Sequence, residues 1–81
     1  MKIVYVASFS TLDDVTPELA AFRHKVAAIK CVADKLLALI DADTRAKRLL
    51  RLKIVAALAQ TGLFYHDGLE IALDVYELTV Q

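Results

Sequence analysis

The sequence predicts an α+β fold in the order β-α-α-β-β, a long antiparallel helical hairpin packed on a small antiparallel sheet. Three observations lead there. An alternating, β-branched stretch opens the chain at Lys2 to Phe9. A seam of apolar residues at three- and four-residue steps runs from Leu19 to Ile40 and is followed by a second helical stretch. Near the end, Asp67-Gly68 separates two further stretches of strand character.

Residues Lys2 to Phe9 read KIVYVASF, with Ile3, Tyr5, Ala7 and Phe9 alternating with Val4, Val6 and Ser8. A lone strand leaves its backbone donors and acceptors unpaired, so this one requires a partner in the same chain or in another copy.

Thr16-Pro17-Glu18 supplies an N-cap, a proline at the first helical position and an acid in the first turn, and predicts a helix start. Leu19, Phe22, Val26, Ile29, Ala33, Leu36 and Ile40 then form the seam that packs on a neighbouring helix. Such a helix of some 25 residues is about 37 Å long. Asp41, Asp43 or Thr44 caps a second helix, and Gly62 ends it as the residue beyond the C-cap. The short break at Asp41-Ala42-Asp43 makes the two helices antiparallel neighbours. The second has an amphipathic first half, RAKRLLRLK, and an apolar second half, IVAALA, which requires burial on several sides.

Asp67-Gly68 between LFYH and LEIALDV is a type I′ hairpin signal. Glu70, Asp74, Glu77 and Gln81 also fall on one helical stripe, and Asp67 with Glu70 fits a capping box, so a third helix competes. The need of the N-terminal strand for a partner favours the sheet. The alternative is a mainly α body of three helices whose N-terminal strand pairs between subunits.

A chain of 81 residues reads as one domain, and at this size a large enclosed active-site cavity is not expected, given the modest share of surface that can be buried. Apolar residues make up 58% of the chain, more than such a body can hide, which predicts a homo-oligomer, a dimer in the simplest case, or an obligate partner. Cys31 is the only cysteine; an internal disulfide is excluded, and a cytoplasmic location is expected. The short apolar run after Lys2, followed by Asp13-Asp14, makes a poor secretory signal, and charges interrupt every candidate membrane span.

The net charge is zero but unevenly laid out. Arg23 to Lys53 carries nine basic side chains against Asp34, Asp41 and Asp43, a balance of +6, whereas Ile54 to Gln81 carries four acids and no lysine or arginine. Arg45, Lys47, Arg48 and Arg51 cluster on the second helix and are the predicted partner-binding residues. Three readings apply to this face: a solvated surface with ion pairs to Glu70, Asp74 or Glu77, contact with an acidic protein partner, or nucleic-acid binding. The last is disfavoured by zero net charge and by the absence of aromatic residues from the basic stretch. A helix-turn-helix reading of residues 55–73 fails because its recognition helix would present Glu70, Asp74 and Glu77 to phosphates.

No catalytic, metal or cofactor motif is found. His24 and Cys31 lie two helical turns apart, about 10 Å along a helix, too far for a nucleophile and its base. Two histidines and one cysteine cannot complete a zinc site without carboxylates that the sequence does not bring together. Tyr65-His66-Asp67 holds acid–base groups, but at a turn where Asp serves backbone geometry. Tyr5, Tyr65 and Tyr76 are expected to pack on a sheet. The expected function is a small non-catalytic protein-interaction module, a regulator, inhibitor or assembly factor; the alternative is a nucleic-acid-binding accessory protein that uses the same basic face.

Overall fold

The computed structural model describes residues 2–11 and 17–80. In chain order they form β1 (Lys2–Thr11), β2 (Glu18–Phe22), α1 (Lys25–Ala38), α2 (Thr44–Gln60), β3 (Leu63–His66) and β4 (Ile71–Val80). The four strands make one antiparallel sheet in the order β2-β1-β4-β3. Both helices pack on the same side of it. The class is α+β, as the sequence predicts, but the order is β-β-α-α-β-β, and the alternative with a third helix is excluded because Ile71 to Val80 is a strand.

The added strand lies where the first helix was expected to begin. Glu18 to Phe22 is extended and pairs with Tyr5 to Phe9. The physical reason is that β1 has two edges: β4 satisfies one, and without β2 the backbone groups of the other would remain unpaired. Pro17 precedes an edge strand, a position that tolerates its missing N–H. Thr16, expected as the helix cap, lies outside the described residues. The helix starts instead at Lys25, after an extended His24 that gives no side-chain cap. Its 14 residues span about 21 Å rather than about 37 Å.

The predicted seam is divided accordingly. Ile29, Ala33 and Leu36 are buried and Phe22 and Ile40 pack on the core, but Val26 is 77% exposed and Leu19, now on β2, is 60% exposed. The stripe that α1 buries is wider, adding Ala28, Val32 and Leu37, because this helix meets the sheet below and α2 alongside. Ile54 and Leu58 from α2, and Ala7, Ile71, Leu73 and Val75 from the sheet, complete the core.

The second helix follows the sequence closely at its ends. The Asp43 carboxylate accepts a hydrogen bond from the Ala46 N–H at 2.7 Å. Gly62 has φ +77° beyond the C-cap, and its carbonyl accepts from the Val75 N–H at 2.8 Å, tying the helix end to β4. Its apolar second half, expected to be covered on several sides, buries only Ile54 and Leu58 fully; Val55, Ala56 and Ala59 are exposed.

The predicted hairpin joins β3 to β4, with His66 opposite Ile71. Its turn is not the expected type I′, since neither Asp67 nor Gly68 has positive φ. A four-residue loop is closed by the Glu70 N–H donating to the Asp67 carbonyl at 3.3 Å, and the left-handed residue is Glu70, at φ 53°. Relieving that conformation with Glu70→Gly should stabilise the protein by about 0.5–1 kcal/mol in urea unfolding, after the extra freedom of glycine in the unfolded chain is counted. A loss of stability would show that Glu70 makes a contact worth more than its backbone strain.

A candidate partner-binding groove between the helices

The short Leu39 to Asp43 connection brings the C-terminal half of α1 beside the N-terminal half of α2, and the Lys25 ammonium closes the far end by donating to the Ala59 carbonyl at 3.1 Å. Between the helices lies an open groove of about 570 Å³, lined by Asp34, Leu37 and Ala38 from α1 and by Thr44, Lys47, Arg48 and Arg51 from α2. Three of the four residues singled out from the sequence therefore share one concavity. Arg45 does not line it; it lies on the exposed side of α2.

The electrostatics are those of a half-wet surface. The Arg51 guanidinium donates to the Asp34 carboxylate at 2.6 Å, with both side chains about half exposed, a setting in which an ion pair contributes at most about 1 kcal/mol. Its effect is to hold the Arg51 side chain against α1. The expected pairs to Glu70, Asp74 or Glu77 do not form among the described residues, whose other ion pair joins Lys35 to Glu18. Lys47 and Arg48 thus line the groove without an ion pair among the described residues, Asp34 on the facing wall being held by Arg51. Leu37, 5% exposed, and Ala38 supply the apolar part of the wall.

Asp34, Leu37, Ala38 and Thr44 were not identified from the sequence. Which residues of α1 face the basic turn of α2 depends on how the helices pack, and the one local hint was Asp34, an acid inside a strongly basic segment.

No family model, curated protein or solved structure matches this chain.

The other candidate groups are spread over the molecule. His66 and Tyr65 are adjacent on β3 and so alternate between sheet faces, with the His66 Nδ1 accepting the Leu69 N–H at 3.1 Å inside the turn. His24 precedes α1 and is exposed, while Cys31 is partly buried in the middle of that helix. Among the described residues no three His, Cys, Asp or Glu side chains gather in a way that could hold a metal ion, and no helix is long and apolar enough to cross a membrane.

Proposed function

We propose that the protein is a small non-catalytic interaction module, a regulator, inhibitor or assembly factor, that binds an acidic segment of a protein partner in the groove between α1 and α2. The observation that carries this reading is the pairing of Lys47 and Arg48, which have no described acidic partner, with the apolar wall of Leu37 and Ala38 in one concavity of about 570 Å³. A carboxylate-bearing peptide suits this wall: its charges supply counter-ions to Lys47 and Arg48, and its apolar groups cover the exposed Ala38 above the buried Leu37. Arg51, already held by Asp34, forms one wall, and Arg45 extends the positive surface beyond the rim.

The test is site-directed photocrosslinking in the native cell from Ala38, an exposed wall residue. An acidic polypeptide should be captured, and Lys47→Glu with Arg48→Glu should reduce its capture at least tenfold, a change that corresponds to about 1.4 kcal/mol. Equal capture by the double variant would remove the groove from the reading. Nucleic-acid binding by the same residues predicts instead a mobility shift with duplex DNA or RNA that is lost steeply as salt rises.

A further inference from the structure

The helices cover one face of the sheet and leave the other without a described element over it. Strand alternation and register define that second face. β1 contributes Lys2, Val4, Val6, Ser8 and Ser10, and opposite them β4 contributes Val80, Leu78, Tyr76, Asp74 and Ala72. The edge strands add Leu19 and Ala21 beside Ser8 and Val6, and Leu63 and Tyr65 beside Asp74 and Ala72. Leu19 and Leu63 are each 60% exposed, Leu78 48% and Tyr76 42%. Apolar side chains dominate this surface, which is broken on its two central strands by Ser8, Ser10 and Asp74, the reverse of the alternation expected of a sheet with one face in water.

We infer that this face is the interface of a two-fold homodimer, in which two copies pack sheet against sheet. Three features select a second copy as the occupant. The first is shape: the same surface carries bulky Tyr65, Tyr76 and Leu78 and small Ala21, Ala72 and Ser8, so one patch supplies both the projections and the recesses that a self-complementary contact needs. Val6, only 7% exposed, is already covered by its neighbours, so the contact would fall on the side chains around it, such as Tyr76, with the two sheets at the usual separation of about 10 Å. The second is charge: Lys2 lies at one end and Asp74 beyond the centre, so no block of like charge faces its own copy. The third is area: strand spacings of about 4.8 Å and about 3.3 Å per residue outline a plan of roughly 460 Å² for these strands, so two fully covered copies remove on the order of 1,000 Å², the lower bound for a biological interface. The groove between the helices lies in the other layer, so this assembly stands or falls separately from the groove reading.

Sedimentation velocity at micromolar concentration tests it. The wild-type protein should sediment as a dimer of the 8.9 kDa chain. Leu19→Lys with Tyr76→Lys, both at exposed positions, should raise the dimer dissociation constant at least 100-fold and yield a monomer whose far-UV circular dichroism is unchanged. Leu52→Lys with Val55→Lys, on the exposed side of α2, should leave the dimer intact. A wild-type monomer at 100 µM, a dimer that survives the sheet-face substitutions, or one that dissolves with the α2 substitutions would each overturn the assignment.

Discussion

Leu36→Ala should destabilise the protein by about 3 kcal/mol, the range for removing a fully enclosed leucine. Leu36 has no exposed surface and lies in the cluster that joins α1 to Ile54 and Leu58 of α2 and to Leu73 and Val75 of the sheet. Packing against α2 and against the sheet is lost together, and because each neighbour is held by its own helix or strand, collapse into the cavity is limited. A chain of this length has a total stability of roughly 4–12 kcal/mol, so the loss is a large share of the whole. Urea unfolding should show a midpoint lowered by 1 M or more at unchanged slope, and the melting temperature should fall by roughly 15 °C. Both proteins must be compared at the same concentration if unfolding is coupled to dissociation. A cost below about 1 kcal/mol would mean that Leu36 is not enclosed between helix and sheet.

Gly62→Ala should cost about 2–4 kcal/mol, through two effects of the same added methyl group. The backbone there has φ +77°, which a side chain disfavours, and a Cβ would approach the Val75 carbonyl oxygen to 2.7 Å. That oxygen belongs to a central strand and cannot retreat without disturbing the hydrogen bond from the Val75 N–H to the Gly62 carbonyl. Gly68→Ala is the informative comparison. Gly68 does not have positive φ, and its nearest neighbour is the side chain of His66 at 3.0 Å, so a small shift of the imidazole relieves the contact at a limited cost to the hydrogen bond that Nδ1 accepts from the Leu69 N–H. Thermal unfolding of the pair should place Gly68→Ala close to wild type and Gly62→Ala well below it. Equal losses would show that close approach to β4 is not what Gly62 provides.

Features set by a few neighbouring residues were legible in the sequence. Asp43 caps its own helix three residues on, Gly62 ends that helix, and Asp67-Gly68 marks a hairpin, even though Glu70 rather than Gly68 takes the left-handed conformation. β2 was not legible, and the reason is physical. Glu18-Leu-Ala-Ala-Phe22 prolongs the spacing of α1 backward, and Pro17 before an acid is as good a helix start as it is a strand entry. What decides between them is a long-range demand, the second unpaired edge of β1. The same demand, applied to both edges rather than one, would have called for this strand.

The candidate site divides in the same way. The basic cluster on α2 could be read from composition, and three of its members do share a groove. The opposite wall could not, since Leu37 and Ala38 belong to a helix whose start was misplaced. The apolar excess was legible as a total of 58%, but not its location: the second half of α2 holds part of it, and the open face of the sheet holds more.

The placement of β1 and β4 side by side at the centre of the sheet has a consequence for the order of folding. Their ladder runs from Lys2 with Val80 to Thr11 with Ile71, and both helices intervene in the chain. The helical hairpin and the β3–β4 turn close through local contacts, but the central ladder forms only after the largest loop has been closed, a slow step in any chain. During synthesis β1 therefore waits for β4, which follows both helices in the chain, with an unprotected apolar edge in the meantime.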